Sequence, residues 1–578
     1  MKRCPACKRI ENDDTLTFCR ADGTALVIDS NLLGAEIGTV KFASAPVASE
    51  VETSVLPHPT TNAEMSRDTG STTVLDHRQQ TISRARELSK PDRARAIVFV
   101  GATVLVIAIA VFAYFYFSRK NNAAIQSIAV LPFVNESGNA DVEYLSDGMT
   151  ESLISSLSQI PKLNVKARSS VFRYKGKDTN AQTIGKELNV QAILNGRVVQ
   201  RGQDLILYVE LVDAATENVL WKQTYNKTMT NLVALQNDIA RDVADKLKVR
   251  LSGADEQKLA KNYTDNPEAY QLYLKGRFYW NKRTPQDIQK SIEYFDQAIT
   301  LDPNYALAHT GLADAYALLP VYGNLPAGES LPKAREAALK ALSLDDRLAE
   351  AHTALGGVLN YYDYDFAGAE REYKRAIELN PNYATAHQWY GELLTHLGRH
   401  EESLAEMRRA LQIDPLSLII NRAEGESYLF ARRYDEAIAQ LRRTIELEPN
   451  FATAHDTLGS AYQIKGDYAD GVAEFVKARE SYGKPEIAAL ARESFARGGY
   501  QEFLRAMTGE RRPADLPSHF VAKCFAMLGE KDKALAELNR SFEKREYYLV
   551  YLKVDPRFDL LRDDPRFQDL VRRVGLPQ

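Results

Sequence analysis

The spacing of apolar and polar positions divides this chain into stretches of different character. From about Asp29 to Lys90 apolar residues are sparse and without period, set among Ser, Thr, Ala and Pro, with Phe42 the one aromatic ring. That composition cannot offset the entropy of ordering and predicts a disordered linker over 29–95. Ala96 to Phe117 is the opposite, an apolar run with no charged residue. It exceeds the roughly 20 residues that a helix needs to cross hydrocarbon. Tyr114 and Tyr116 sit at its end, where amphipathic rings favour an interface. A single transmembrane helix is therefore expected over 96–117, with a buried core helix as the competing reading.

Between 125 and 252 two periods alternate. Ser127 to Phe133 is a short apolar strand interrupted by Pro132, followed by turn residues from Asn135 to Asn139. Met149, Leu153, Ile154 and Leu157 have helical spacing, and Ser146-Asp147-Gly148 before them reads as an N-cap. A strand over Leu163–Ala167 and a helix over Ala181–Leu188 follow. Then come strand-like runs at Ala192–Gln200, Leu205–Val212 and Val219–Tyr225, and a helix from Asn231 to about Leu251. This order implies an α/β unit with a mixed sheet. Neither Ser146-Asp147-Gly148 nor Lys175-Gly176-Lys177 fits a phosphate-binding loop, which needs GxxxxGK[ST]; they read as a cap and a turn.

From Pro267 onward a helical pattern repeats. Pro381, Pro415 and Pro449 recur at 34-residue intervals, each after an acidic residue or Asn. Asp346 takes the same place one repeat earlier and Pro303 before that, with the extra residues around Pro320 to Ser330 expected as a loop. Leu458, Gly459, Tyr462, Gly466, Tyr468, Ala473, Phe475 and Ala478 alternate small and large residues, as paired helices require for close approach. Clear units span 267–480. Weaker ones at Gly498-Gly499-Tyr500 and Gly529 to Asp532, with Asp-Pro-Arg-Phe at 555–558 and again at 564–567, make 481–578 a degenerate end and cap, which a stacked array needs.

Charge and cysteine placement add detail. Formal net charge is −4, which argues against a nucleic-acid binder. Arg84, Arg86, Lys90, Arg93 and Arg95 precede the apolar run and Arg119 and Lys120 follow it. The positive-inside rule then places the N-terminus in the cytoplasm and the bulk of the chain outside the inner membrane. Three of the four cysteines lie near the start. Cys4 and Cys7 have the C-x2-C spacing that grips a tetrahedral zinc ion, and Cys19 with Asp22 completes a candidate ligand set for a structural Zn2+ over 1–28. A knuckle without metal is the other reading. Cys524, in an apolar helical run, reads as a core thiol. His309, His352, His387 and His455 follow Ala at one register position, so they read as a feature of the repeat rather than as metal ligands. Lys374-Arg375, Arg408-Arg409 and Arg442-Arg443 form a basic ladder on second helices: a solvated face paired to nearby Glu, or a surface for an acidic partner.

Several of these motifs resemble known families. The N-terminal knuckle is similar to the zinc-ribbon knuckles of bacterial membrane proteins. Ile128-Ala-Val-Leu-Pro-Phe133, Tyr144-Leu-Ser-Asp-Gly148, Ala167-Arg-Ser-Ser170, Ile184-Gly-Lys-Glu-Leu188 and Ile193-Leu-Asn-Gly196 together resemble the TolB amino-terminal-like (FlgO-like) domain over 125–252. The 34-residue period resembles the tetratricopeptide repeat. The fold class expected is thus multidomain: a small zinc-ribbon-like knuckle, a single transmembrane helix, an α/β TolB-like domain and an all-α solenoid. The resemblance implies protein or peptide partners held in the groove of the repeats, either by a membrane-anchored scaffold or by a transmembrane sensor that relays an extracytoplasmic signal to a cytoplasmic partner through the zinc knuckle. No nucleophile–base pair, nucleotide loop or catalytic metal motif stands in the sequence, so no enzymatic activity is expected.

Overall fold

The computed structural model describes residues 125–578, apart from 250, 323, 324, 511, 515 and 578, together with three two-residue strands near the start. Those strands, β1 (Lys2–Arg3), β2 (Ile10–Glu11) and β3 (Val27–Ile28), form an antiparallel sheet in the order β2-β1-β3. Cys4, Cys7, Cys19, Asp22, the linker and the apolar run 96–117 lie outside the described residues. Among the described residues, no helix is long and apolar enough to cross a membrane.

The α/β domain is built on β4 (Ser127–Val130), β5 (Val134–Asn135), β6 (Asn164–Val165), β7 (Ala192–Arg201), β8 (Asp204–Asp213) and β9 (Val219–Thr228). The order is β6-β4-β7-β8-β9, with β5 also on β7; β4 runs parallel to β6 and β7, and β7-β8-β9 is an antiparallel meander. Ile128, Ala129 and Val130 are all buried, as expected of a central parallel strand covered on both faces. The close approach of Phe133 to β7 explains Gly196, where a Cβ would fall 2.4 Å from the Phe133 ring. The domain's helices are α1 (Glu143–Ser158), α2 (Arg168–Val171), α3 (Ala181–Leu188), α4 (Leu232–Lys246) and α5 (Gly253–Leu259).

One expectation fails in α1. Ser146-Asp147-Gly148 is not its cap but lies inside it, since the helix begins at Glu143. Asp147 instead holds Lys175 at 2.5 Å, so the two motifs weighed as phosphate sites are each other's partners. Gly148 is selected by packing rather than capping: its Cβ would stand 3.0 Å from Leu274 of the first repeat.

The tetratricopeptide array consists of the helix pairs α6 (Pro267–Trp280) with α7 (Pro285–Leu301), α8 (Ala306–Tyr322) with α9 (Ala327–Leu344), and α10 (Ala349–Val358) with α11 (Phe366–Leu379). It continues with α12 (Ala384–His396) and α13 (His400–Ile413), α14 (Leu418–Phe430) and α15 (Tyr434–Leu447), and α16 (Ala452–Lys465) and α17 (Tyr468–Ser481). The residues expected as a loop near Pro320 are mostly helix, because Leu319, with Tyr316, Tyr322 and Leu325, extends a core on Ile288, Ile292 and Phe295. Next, α18 (Pro485–Thr508) is two helices joined at Gly498 and Gly499, the latter at φ 66°, a conformation glycine adopts at little cost. Then come α19 (Ser518–Met527), α20 (Lys531–Glu543), two 3₁₀ turns at Tyr547–Tyr551 and Pro556–Leu561, and α21 (Pro565–Arg573). The α/β core runs without a break into the first repeat through Tyr270, Leu274, Ala298 and Tyr305.

Candidate functional site

In each repeat a small residue seats the first helix on the second. At Gly276, Gly356, Gly391 and Gly425 an added Cβ would meet Phe295, Tyr373, Met407 and Leu441 at 2.4–2.9 Å. The residue after each is Arg277, Gly357, Glu392 or Glu426, with Asp314 at the same register in the second repeat. First helices of neighbouring repeats pack directly on one another, so they form the inner layer of the array and these residues mark its inner face. The chain covers that face itself, at both ends.

The α/β domain takes the N-terminal part. Arg277 Nε donates to Glu151 of α1 at 2.8 Å and its NH1 to Asp314 at 3.1 Å. The Tyr270 hydroxyl donates to Gln236 of α4. The turns between repeats complete the seam. Asn382 Nδ2 donates to the carbonyls of Ser158 and Leu163, each at 3.1 Å. Lys166 Nζ donates to the Gln412 carbonyl at 2.6 Å, and Ser169 and Ser170 both donate to Asp414. Burial raises the Asp414 carboxyl, against the pull of the two serines, and burial lowers Lys166 to about 8. Between α1 and the first helices of the array a cavity of about 300 Å³ remains.

The C-terminal part is taken by the 3₁₀ turns. Tyr547 stacks on Tyr361 with centroids 4.0 Å apart, and the Tyr361 hydroxyl donates to Glu392 at 2.6 Å. The Tyr551 hydroxyl donates to Glu426 at 2.9 Å. Its ring meets His396 edge-on at 4.4 Å and Phe430 at 4.7 Å. Arg422 bridges Glu426 at 3.0 Å and Glu392 at 3.7 Å, and those carboxylates hold its guanidinium well above its ordinary range in spite of burial. Burial alone lowers His396 to about 3. The cap motif has its own device: Asp555 and Asp564 each accept the backbone N–H two residues on and pair with Arg557 and Arg566. The buried Asp555 also faces Lys523 at 3.3 Å.

The ladders seen in the sequence take these places in the structure. His352, His387 and His455 each contact the carbonyl six residues earlier through Nε2 and a glutamate of the second helix (Glu372, Glu406, Glu474) through Nδ1. His309 makes only the first contact. In the fifth repeat Asn421 and Gln440 reproduce the arrangement with amides, at 3.0 Å to Pro415 and 2.8 Å to each other. The basic ladder lies on α11, α13 and α15, where Lys374, Arg375, Arg408, Arg442 and Arg443 are exposed and Arg409 is half-buried. Lys374 pairs with Glu370 and Arg375 with Glu378, Arg409 contacts Gln412, and Arg442 donates to the Tyr462 hydroxyl. Arg408 and Arg443 lie near Glu424. Cys524 is buried, and its thiol is pushed up to about 12 by burial. Among the described residues no group of His, Cys, Asp and Glu could hold a metal ion.

The chain carries matches to tetratricopeptide-repeat models over 272–305, 361–417 and 422–493. Residues 124–242 match a model described as the second domain of HilA/YgeH-like transcriptional regulators, where the sequence motifs pointed to a TolB-like domain. A Rhizobium meliloti protein named as an adenylate cyclase is 31% identical over 190 residues, 32% of each chain. The transcriptional regulator HilA of Salmonella typhimurium is 25% identical over 221 residues, 38% of this chain and 39% of HilA. The matched stretch thus spans 32% and 39% of the length of these two relatives. Among solved structures, the tetratricopeptide protein YrrB, titled as having an unusual peptide-binding site, aligns at 21% identity and TM-score 0.25, over 34% of this chain and 97% of its own. PilW, titled a type IV pilus biogenesis factor, aligns at 19% identity and TM-score 0.28, over 43% of this chain and 97% of its own.

Proposed function

We propose that this protein is a membrane-anchored interaction scaffold whose array takes up a peptide segment of a protein partner on the inner face of its third to sixth repeats. The observation that carries this reading is the occupant already present. Tyr547 and Tyr551 lie on Tyr361, His396 and Phe430, and Tyr551 donates to Glu426, an aromatic anchor with a directed hydrogen bond, the chemistry of an interface hot spot. A partner would compete with this segment. Residues 96–117 would supply the anchor, with Cys4, Cys7, Cys19 and Asp22 holding a structural zinc ion on the cytoplasmic side.

A second reading, a transmembrane sensor, draws support from the relatives. One is named for a cyclase and the other for transcriptional regulation, and the stretch shared with this chain is a minor part of each. Such a stretch suits an input module that controls different outputs. The relatives' own activities and partners stay proposals for this chain.

The test uses a labelled peptide of residues 545–561 and the whole chain carrying Tyr547→Ala with Tyr551→Ala. Fluorescence anisotropy should show binding to this variant and none to the unaltered chain, and Glu426→Gln added to the variant should weaken it. A variant that keeps its helical circular dichroism yet takes up no peptide overturns the reading.

A further inference from the structure

The cavity under the α/β domain is lined by both charged and aromatic side chains, among them Arg168, Arg277 and Arg283. Arg168 is committed to Glu151 at 3.1 Å, and Arg277 to Glu151 and Asp314 at 2.6 and 3.1 Å. Arg283 is different: it lies 3.6 Å over the Trp280 ring, and no carboxylate stands within ion-pair distance of it among the described residues. Burial lowers it to about 10. Glu350, on the same lining, has the Ser155 hydroxyl at 3.5 Å as its side-chain partner, and among the described residues no cation stands within ion-pair distance of it. Burial raises its carboxyl and pushes the neighbouring Asp314 up to about 6, even with Arg277 beside it. Tyr273, Tyr305 and Tyr383 also line it, and among the described residues the hydroxyl of the fully buried Tyr305 has no partner.

A half-buried cation and a half-buried carboxylate that do not satisfy each other each carry part of a desolvation cost. A molecule bearing both charges would relieve both at once. A singly charged molecule would relieve one and leave the other. We propose that the cavity binds a small zwitterion, an amino acid or a short peptide with free termini, its carboxylate on Arg283 and its ammonium on Glu350, against the tyrosines of the lining. The cavity's 300 Å³ lies at the low end of ligand sites, roughly 300–1,000 Å³, which suits an amino acid or dipeptide and is small for a nucleotide. This site is separate from the groove held by Tyr547 and Tyr551, so it stands or falls independently of the scaffold reading.

The experiment is calorimetry and thermal melting of the whole chain with glycyl-phenylalanine, free phenylalanine, and the singly charged phenylacetate and phenethylamine. The proposal expects at least one zwitterion to bind and raise the melting temperature, and both singly charged compounds to bind about tenfold more weakly or less, a loss of about 1.4 kcal/mol. Stronger binding of the dipeptide than of the free amino acid identifies a peptide ligand, and the reverse an amino acid. Arg283→Gln and Glu350→Gln should each weaken the zwitterion about tenfold, while Arg283→Lys, which keeps the charge, should recover part of the loss. The unliganded melting temperature of each variant reports whether it has folded. The proposal is overturned if neither zwitterion binds at millimolar concentration, if the singly charged compounds bind as well, or if folded variants bind unchanged.

Discussion

At the scale of the residue, the inner face is set by side chains whose size or charge state leaves little tolerance. Gly356 lies flat on the Tyr373 ring, where an added Cβ would stand 2.6 Å from it. Tyr373 is fully buried and cannot swing out. Gly356→Ala should therefore cost about 1–3 kcal/mol through overpacking, although alanine is the better helix former; a urea midpoint equal to or above that of the unaltered chain would refute this. His396 gives a pH dependence. Its folded pKa, lowered to about 3 by burial, lies below the ordinary value of about 6.5. On acidification the unfolded chain takes up the proton first. Stability from this group is thus complete above about pH 6.5 and is lost as pH falls toward 3, by at most about 1.4 kcal/mol per unit. His396→Gln should reduce the loss of stability between pH 7 and pH 5 by up to about 2 kcal/mol; an unchanged difference would show that His396 is not buried neutral. His455 works in the opposite sense: its bond to Glu474 raises its pKa, so its contribution is present below pH 6.5 and lost as pH rises through the folded value. None of this was legible beforehand. The sequence showed His309, His352, His387 and His455 in register, but only the position of Glu372, Glu406 and Glu474 on the neighbouring helix reveals their work, and His396 stands outside that register.

At the scale of the element, periodicity was a good guide where a helix or strand buries one face, and a poor one where two elements share a contact. The strands from β7 to β9 and the helix pairs from Pro267 onward follow from their apolar spacing. Ser146-Asp147-Gly148 misled because the polar-small pattern of a cap is also the pattern of a helix face pressed on another helix, and Leu274 lies more than a hundred residues away. The insertion near Pro320 misled for a related reason: proline suggested a loop, but the apolar residues around it had a core to join. The seam between domains was hidden in the repeat motif itself. Asn382 reads as part of a turn between repeats, yet its amide is shared among the carbonyls that end α1 and lead into β6. Asn382→Ala would leave those buried carbonyls without a donor, at about 1–3 kcal/mol. Amide hydrogen exchange should quicken in residues 157–166 as well as around 380–384, because the seam is one cooperative contact; quickening confined to the array would mean that the α/β domain holds that turn unaided.

At the scale of the whole molecule, the sequence disclosed an α/β domain and a helical solenoid but not that they close on one another. An array read by itself presents an open groove. Here α1 enters one end and residues 547–561 the other, and both events depend on pairings between distant positions that no local pattern encodes. The described structure covers the α/β domain and the array, while the proposed membrane anchor and its orientation rest on the sequence. Five basic residues precede Ala96 and two follow Phe117 within a comparable distance. If residues 96–117 span a membrane as proposed, retention of Lys and Arg on the cytoplasmic side would orient them with the chain's start inside, and the clustered cysteines would suit the same reducing compartment. A reporter active only in the periplasm, fused after Gln578, should give signal, and one active only in the cytoplasm should give signal when fused before Met1. Exchanging Arg84, Arg86, Lys90, Arg93 and Arg95 for Gln, with Lys in place of Asn121 and Asn122, should weaken or invert both signals. If the unaltered chain instead shows its C-terminal end inside, the groove and the zwitterion cavity would meet cytoplasmic peptides and amino acids, and the charge bias would not be what orients this helix.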